Sequence, residues 1–483
     1  MKRKLFTMLS LALIFACLLP LISCKKDKGN GEGTRETIEL DTGDGYDYGR
    51  LDCDNTDFTF LQCDEDRWGM KTVLDPEKMI GDEVSDAVFS RNKTIETLYN
   101  VNIKCINQDI YDTPEYIRTQ CMGGDVMVDV GYVIGSGVAT LIGEGLLDDL
   151  STISDMQIYE PWWGQKIREE SQFGGSSSLW YAQSDISVTA FELTWCVAIN
   201  LNIVTQQNME DPYALVREGK WTVEKMFEMA ADGMTPNSDG SYEYREDTSC
   251  VIGFVTYNNF AMAGINGAGC FLTQKDEVGN PMFSGEGEKF IAVVERWAKA
   301  FRTAGLADEA QETGYHYEDV FAKGRAFAAG VEIKAATKFR AAELHYAIVP
   351  VPKYDDKQTS YYSNVNYLAP LLVVPKTNAN LDKTGRILDT MAYLSYKDLL
   401  PVYYNSNLAY KAIGTEEGFE MLNIIRDTRC FETGLLYGWT SDFYAEVRDV
   451  FIGVTATTSP SSAISKYRGP IMQTLSDYIS ELK

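Results

Sequence analysis

Residues 176–204 have the sequence SSSLWYAQSDISVTAFELTWCVAINLNIV, and this stretch decides the fold. It contains no glycine or proline and is rich in β-branched and aromatic residues, which favour extended structure. The apolar residues change phase within it, because Ile186 and Val188 lie at even positions whereas Leu193, Trp195 and Val197 lie at odd positions. Strand side chains alternate with period two, so a phase change indicates a bulge, a bend, or a chain that leaves one core for another. The pattern alone is compatible with a crossover between two lobes and with a bent strand or hairpin in one sheet.

Length and composition narrow the class of protein. The chain has 483 residues, more than one ordinary core accommodates, so two domains or lobes are expected. Its 45% hydrophobic and 24% charged residues are typical of a globular protein. The net charge of −26 opposes binding to a polyanion, so nucleic acid is not an expected partner. This acidity suits solubility outside a cell and a neutral or cationic ligand.

The N-terminus carries an export pattern. A basic start, Met1-Lys-Arg-Lys, precedes the apolar run 5–22, and Leu21-Ile-Ser-Cys24 follows in the form of a bacterial lipobox. These flanks fit a signal peptide better than a membrane span. We therefore predict a signal peptide over 1–23, acylation of Cys24 and a flexible tether over 24–50, since acyl chains hold a protein at a membrane surface. The alternative is an ordinary anchor helix with an incidental cysteine.

Cysteines and histidines give little support for a metal site. The chain has no C-x-x-C pair, and its two histidines are His316 and His345. No structural metal site is therefore predicted. Cys63 and Cys105 each end a predicted strand, and the sequence leaves open whether they form a disulfide or remain buried free thiols.

The segment 235–246 has the spacing of a calcium-binding loop. Its first position is Thr235 rather than Asp, and no good helix follows it, so a polar turn is the favoured interpretation. Two histidines also weaken any nucleophilic triad, and neither G-x-S-x-G nor a phosphate-binding glycine loop is present. We predict no cofactor and no enzymatic activity, with a secreted glycoside hydrolase as the rival hypothesis.

Strands and helices alternate in the first part of the chain. The predicted strands are Phe58–Cys63, Val101–Cys105 and Val126–Ile134, with helical segments between them. Such alternation predicts an α/β lobe with a largely parallel sheet. Ligands of these sheets bind beyond the carboxyl ends of the strands, which places Trp68 and Ser136 near a cleft.

Aromatic residues are abundant, with 28 Tyr, 21 Phe and 8 Trp, and many of them flank loops rather than apolar runs. Aromatic faces can bind the C–H faces of sugars while Asp, Asn and Glu bind the hydroxyl groups. Most aromatic residues are nonetheless core or surface residues, so the ligand role is the minority assignment for any one of them.

Several loose motifs follow one another in a fixed order along the chain. They are the lipobox, DVMVD at 125–129 with GLLDDL at 145–150, LWYA at 179–182 with VAIN at 197–200, DPYALVREGKWT at 211–222, FAKGRAFA at 321–328 and IVPVP at 348–352. Together they resemble the extracellular solute-binding lipoproteins of ABC transporters, and within them the carbohydrate-binding, maltose-binding-like group. The resemblance covers nearly the whole mature chain.

The resemblance implies a periplasmic-binding-protein-like fold. Two α/β lobes are joined by hinge crossovers and enclose a ligand cleft. Lobe 1 would comprise 51–184 plus 318–389, and lobe 2 would comprise 185–317 plus 390–483. The stretch around Asp185 would be the first crossover, which favours the crossover interpretation of 176–204. The chain would return to lobe 1 near Phe321 and leave it near Asp389.

The resemblance also implies a function and a site. The protein would be a monomer, anchored through Cys24 at the extracellular face of the bacterial cell membrane. It would capture a carbohydrate, an oligosaccharide, and deliver it to the permease subunits of an ABC importer. A binder of a peptide or cationic solute, and a surface adhesion module without a closing cleft, are further alternatives. The ligand-binding residues expected from this mapping are Trp68, Ser136, Asp185, Tyr257, Asn258, Glu332, Tyr367 and Trp439.

Overall fold

The computed structural model of the chain describes residues 45–64, 70–72, 74–76, 78–79, 81–245, 247–309, 316–404, 415–454 and 458–481. The predicted signal peptide, the lipidation site Cys24, most of the tether and the candidate residue Trp68 lie outside these ranges. Within the described ranges, no helix combines the length and apolarity needed to cross a membrane.

The chain alternates between strands and helices throughout. The strands are β1 Thr56–Cys63, β2 Val101–Gln108, β3 Val130–Val133, β4 Trp195–Asn200, β5 Ile252–Thr256, β6 Thr273–Lys275, β7 Pro281–Phe283, β8 Ala307–Glu309, β9 Ala326–Glu332, β10 Tyr346–Val349, β11 Ser363–Asn364, β12 Leu371–Val373 and β13 Arg429–Cys430. The α-helices are Glu83–Tyr99, Thr113–Gly123, Val138–Gly143, Gln165–Ser171, Thr189–Glu192, Leu201–Gln206, Pro212–Arg217, Val223–Gly233, Phe260–Gly267, Glu288–Phe301, Tyr317–Ala322, Ala335–Ala341, Leu381–Leu394, Leu400–Val402, Glu416–Asp427, Thr433–Leu436, Ser441–Phe451 and Pro460–Glu481.

The first lobe is built on a sheet with the strand order β12-β3-β1-β2. Strand β1 is parallel to β2 and β3, whereas β12 is antiparallel to β3. The register places Cys105 opposite Phe60 and Cys63 opposite Gln108, so the two cysteines are out of register. Both thiols are free, and the disulfide alternative is therefore wrong. Burial raises the pKa of the Cys63 thiol, which keeps it in the neutral form.

The second lobe is built on a sheet with the order β10-β4-β9-β5-β8. Strand β9 pairs with β4 and β5, and β10 pairs with β4. The predicted return to the first lobe near Phe321 is therefore wrong, because two further strands of the second sheet follow that residue. The chain rejoins the first sheet at β12. The predicted exit near Asp389 is also too early, since Met391 and Leu394 still pack in the core of the first lobe.

Three crossovers connect the lobes and pair with one another. Thr194 of the first crossover forms an antiparallel bridge with Val365 of the second. Strand β11 of the second crossover pairs in parallel with β13 of the third, and the amide of Val365 donates to the carbonyl of Cys430. The crossovers therefore form a small ribbon between the lobes rather than three independent linkers.

The phase change in residues 176–204 has a clear structural cause. Ala182 exchanges two backbone hydrogen bonds with Leu372 and so belongs to the edge of the first sheet. The helical turn Thr189–Glu192 follows, and β4 then lies in the second sheet. All six residues of β4 are buried. Trp195 faces one core cluster and Cys196 another, on the two faces of the sheet. The stretch is a crossover, as predicted.

Candidate ligand-binding cleft

The strand directions bring the carboxyl ends of both sheets to the crossovers. The second crossover enters the first lobe where Leu371 lies opposite Val133, the last residue of β3. The first crossover enters the second lobe where Trp195 lies opposite Glu332, the last residue of β9. Parallel sheets bind ligands at their carboxyl ends, so the candidate cleft lies where these two edges meet.

Ser136 lies against the second crossover, in the turn that follows β3. The turn Gly135–Gly137 is a 3₁₀ helix, and Ser136 is exposed. A Cβ atom at Gly135 would lie 2.2 Å from the carbonyl oxygen of Tyr367, so only glycine allows this close approach. The structure therefore places Ser136 and Tyr367 on neighbouring segments.

Tyr257 and Tyr367 form a cluster with a tyrosine of the first lobe. The pKa of Tyr257 is raised by burial and by the nearby hydroxyl groups of Tyr367 and Tyr111. The pKa of Tyr367 is also raised by burial, which Arg448 partly opposes. Tyr111 follows β2 and is 53% exposed. These three tyrosines, which we call the tyrosine cluster, come from the first lobe, the second crossover and the second lobe.

Asn258 lies next to this cluster and has a polar atom without a protein partner. Its Oδ1 is buried and accepts no hydrogen bond within the described part of the chain. The neighbouring segment is held by Tyr444, whose hydroxyl donates to the carbonyl of Asn259 at 3.4 Å. The ring of Tyr444 packs edge-on against Tyr367, with 5.8 Å between the centroids. The Asn258 side chain thus has an unsatisfied acceptor beside this cluster.

Glu332 lies at the base of the crossovers and is already bonded. It is 4% exposed, accepts a hydrogen bond from Nδ2 of Asn366 at 2.7 Å, and pairs with Lys334 at 2.7 Å. These contacts join the end of β9 to the second crossover. The observed role of Glu332 is thus to hold the crossover, and a ligand contact remains a prediction.

Asp185 lines a separate cavity of about 270 Å³ beside the first crossover. Arg429 and Phe431 of the third crossover line the same cavity. Burial raises the pKa of Asp185 to about 6, and the positive charges of Arg429 and Arg426 oppose this rise. The structure does not bring Asp185 together with the tyrosine cluster.

Trp439 is a packed residue in this conformation. It is 9% exposed, stacks on Tyr437 with 4.6 Å between the centroids, and contacts Phe173 and Tyr478. This packing leaves little of the ring accessible to a ligand. Its predicted contact with a sugar therefore stays a prediction.

Sequence reasoning missed Tyr111, Tyr444 and Arg448. The rule that ligands bind at carboxyl strand ends would have found Tyr111, but the predicted second strand ended at Cys105, whereas β2 continues to Gln108. Its last residues are polar because β2 is an edge strand. Tyr444 and Arg448 lie on the helix Ser441–Phe451, and nothing local in the sequence connects that helix to the cleft.

The calcium-like segment is a structural turn. Oδ1 of Asn237 accepts from the amides of Ser249 and Cys250, and its Nδ2 donates to Ser241 and to the carbonyl of Glu243. The calcium-binding motif would use the Asn237 side chain as a metal ligand, but these hydrogen bonds already occupy both of its polar atoms. No group of three or more His, Cys, Asp or Glu in the described ranges is arranged to hold a metal ion.

Solved structures of binding proteins share this architecture. An ABC substrate-binding protein from Listeria monocytogenes in complex with cycloalternan aligns with a TM-score of 0.58 at 14% identity, over 88% of this chain and 100% of that chain. A cyclo/maltodextrin-binding protein complexed with maltotetraose aligns with a TM-score of 0.58 at 10% identity, over 88% of this chain and 98% of that chain. The maltose-binding periplasmic protein of Listeria monocytogenes, in complex with maltose, aligns with a TM-score of 0.55 at 14% identity, over 88% and 99%.

No protein-family model and no curated protein matches the sequence. The fold likeness nevertheless extends over almost the whole described chain and confirms the predicted architecture. This chain has the two-lobed α/β fold of the solute-binding proteins of ABC transporters.

Proposed function

We propose that this protein captures a carbohydrate in the cleft between its lobes and delivers it to an ABC importer. The observation that carries the proposal is the position of the tyrosine cluster, because Tyr367 of the second crossover packs against the cores of both lobes and Tyr257 packs against the core of the second lobe. Tyr111 of the first lobe lies close enough to act on both electrostatically. A ligand held by all three contacts both lobes at once. Such a ligand stabilises the lobe orientation in which the contacts exist, and this couples binding to closure.

The chemistry of the cleft supports a neutral polar ligand. Tyrosine rings offer apolar faces to sugar C–H groups, and their hydroxyls exchange hydrogen bonds with sugar hydroxyls. The buried Oδ1 of Asn258 needs a donor, which a sugar hydroxyl supplies. Three structures that share the fold were solved with cycloalternan, maltotetraose and maltose. Capture without turnover is consistent with these relatives, which are binding proteins.

A ligand screen tests the proposal. We expect saccharides to raise the melting temperature of the purified protein, because a ligand of the folded state stabilises it. A peptide or polyamine that raises it instead would favour the alternative binding function. Hydrolysis of an oligosaccharide by the protein would identify a glycoside hydrolase. The absence of any thermal shift with saccharides would reject the proposal.

Substitutions in the cleft locate the binding site. Tyr257→Phe and Tyr367→Phe keep the rings and remove the hydroxyls, and we expect each to weaken saccharide binding about fivefold, since one good hydrogen bond contributes about 1 kcal/mol. Tyr396 is 41% exposed outside the cleft, so Tyr396→Phe is the matched control. Isothermal titration calorimetry measures the affinities. Unchanged affinity in both cleft variants would place the sugar elsewhere.

We further propose that the protein acts as a monomer at the extracellular face of the membrane, anchored through Cys24. The support is the lipobox 21–24 and the polar segment that follows it. Acyl chains at Cys24 would hold the lobes near the permease subunits, with 24–50 as the tether.

A further inference from the structure

A loop of the first lobe reaches into the second lobe at a point outside the three crossovers. The helix Gln165–Ser171 is fixed in the first lobe by Ile167, which lies in its core, and the chain is back in that core at Leu179. Between these points, Phe173 is 2% exposed and belongs to the core of the second lobe. We call residues 172–178 the bridging loop, because it joins the two cores through a side chain.

Phe173 packs on a group of aromatic rings. The centroid of its ring lies 5.4 Å from that of Trp439, 5.7 Å from that of Tyr437 and 6.0 Å from that of Tyr478. The hydroxyl of Tyr437 also donates to the carbonyl of Ser171 at 3.3 Å, at the end of the first-lobe helix. Phe173 therefore covers part of the Trp439 ring, which would be more accessible if Phe173 moved away.

Lys275, on strand β6 of the second lobe, fastens the bridging loop. Its ammonium donates to the carbonyls of Glu169 and Gln172 and lies 5.2 Å from the centroid of the Phe173 ring. The last carbonyls of a helix have no partner within the helix, and lysine side chains commonly bind them. One ammonium group of the second lobe thus holds both the end of a first-lobe helix and the loop that follows it.

The contact is small and borders on solvent. The amide of Gly174 donates to the carbonyl of Gly279, in the turn between β6 and β7, at 2.8 Å. Gly174 and Lys275 are both exposed, so water competes for these hydrogen bonds. A cavity of about 480 Å³, lined by Phe173 and Lys275, lies beside the contact. The loop can therefore be released by the movement of one buried side chain, Phe173.

Glu170 connects the same helix to the third crossover. Its Oε2 accepts from the amide of Phe431 at 2.9 Å, and its Oε1 pairs with Lys166 at 3.2 Å. Burial raises the pKa of Glu170, and the positive charges of Lys166 and Lys275 oppose the rise. If the helix moves together with the bridging loop, the bond between Glu170 and the Phe431 amide breaks as well. That amide therefore reports movement of the whole segment.

We propose that Phe173 and Lys275 form a latch that holds the two lobes together in the absence of ligand, and that the lobes separate only after Phe173 leaves the second core. The latch belongs to the ligand-free chain, so it goes beyond the proposed function and does not depend on which ligand binds. Its release would also uncover the ring of Trp439.

Hydrogen exchange measured by mass spectrometry, with fragmentation that resolves single amides, tests the latch on the full chain in detergent without ligand. The exchange rate of a bonded amide follows the fraction of molecules in which its segment is open. Lys275→Met removes the ammonium, and Phe173→Leu removes the ring while leaving every charge in place. We expect each variant to accelerate exchange of the Gly174 and Phe431 amides about tenfold, the effect of losing a hydrogen bond to a charged group or a set of aromatic contacts.

Lys299→Met, at an exposed position of the second-lobe helix Glu288–Phe301, is the matched control and should exchange as the wild type does. The amides of β5 should keep their rates in every variant. A wild-type rate at the Phe431 amide in both latch variants would show that the contact is local and would overturn the latch. Equal acceleration in β5 would mean that the loop opens only when the second lobe unfolds, and would also overturn it. If Phe173→Leu does not fold, Lys275→Met, at an exposed position, decides alone.

Discussion

The carboxylate of Glu332 accepts a hydrogen bond of 2.7 Å from Nδ2 of Asn366, and this bond joins the end of β9 to the second crossover. The same carboxylate pairs with Lys334 at 2.7 Å. Removing Asn366 leaves the buried acid with one partner fewer. The lobes are thus held together by side chains as well as by the backbone ribbon.

We expect Asn366→Ala to lower the free energy of unfolding by about 1–3 kcal/mol, because hydrogen bonds to charged buried groups are worth that much. Urea unfolding followed by circular dichroism measures the change. Asn202 is exposed, so Asn202→Ala should stay within about 0.5 kcal/mol of the wild type. An Asn366→Ala variant as stable as that control would show that the bond does not stabilise the crossover.

Asp389 is a buried hydrogen-bonding centre of the first lobe. It is 0% exposed and accepts from Tyr46, from the backbone and side chain of Gln157, and from the indole N–H groups of Trp162 and Trp163. Asp389→Asn turns one accepting oxygen into a donor that faces these donors. We expect a loss of about 3–5 kcal/mol in unfolding free energy, as for other broken buried polar networks.

Tryptophan fluorescence provides a second readout for Asp389→Asn, because two of the partners are indoles. Both indoles donate to Oδ1 of Asp389, and we expect the emission of the folded variant to shift because the negative charge beside the two rings is removed. The exposed Asp477, bonded to Gln473, provides the control substitution Asp477→Asn, which should leave both stability and emission unchanged. Wild-type stability of Asp389→Asn would contradict the assignment.

Glu432 makes stability depend on pH. Burial raises its pKa to about 7, although the amides of Leu272 and Thr273 donate to it. The pKa of Glu432 is near 4.5 in the unfolded chain and about 7 in the folded protein. Between these two values the native state binds more protons than the unfolded state, so the stability of the protein falls as the pH rises.

We expect Glu432→Gln to remove this pH dependence, which amounts to about 3 kcal/mol between pH 4.5 and 7. Urea unfolding at several pH values measures it. The pKa of Asp185 is also raised, to about 6, so this residue also lowers the stability of the protein as the pH rises over part of the same range. The Asp185→Asn variant is therefore measured in parallel. Identical pH profiles of wild type and Glu432→Gln would refute the assignment.

Two substitutions at Trp439 distinguish a role in core packing from a direct contact with the ligand. We expect Trp439→Ala to destabilise the protein by about 3–5 kcal/mol, because it removes a ring packed on Phe173, Tyr437 and Tyr478. Trp439→Phe keeps much of this packing and should retain saccharide affinity. If Trp439→Phe folds normally but loses affinity tenfold by calorimetry, the indole contacts the sugar, as the sequence predicts.

Cys24 is the predicted site of attachment to the membrane. We expect Cys24→Ala to release the protein into the medium or the soluble fraction, because no acyl chains can then be added. Cell fractionation and immunoblotting measure the distribution. Cys17→Ala, within the predicted signal peptide, should leave membrane retention unchanged. Retention of the Cys24→Ala variant would argue for an anchor helix instead.

Local sequence patterns agree with the local structure of two helices. Asp82 caps the helix Glu83–Tyr99 through the amide of Ser85, and Thr222 caps the helix Val223–Gly233 through the amide of Lys225, where helical periodicity begins in the sequence. Capping and periodicity depend on residues within a few positions of each other. The phase change at 186–195 was compatible with a crossover and with a bent strand in one sheet, and the structure shows the crossover.

Strand partners were harder to predict. The segment 326–332 is recognisable as a strand, yet it pairs with β4 and β5 rather than with the first sheet. Both sheets accept a fully buried strand of small residues, so composition does not choose between them. The choice depends on contacts such as Trp195 with Glu332, which are distant in sequence.

Motif order and local periodicity are properties of the sequence, and they predicted the two-lobed α/β class, the crossover at 176–204 and an export signal. Only the folded chain shows that Tyr111 lies near Tyr257 and Tyr367, that Trp439 is packed, and that Asp185 and Arg429 line the same cavity. Those groupings arise from the pairing of the three crossovers, which brings together segments that lie far apart along the chain.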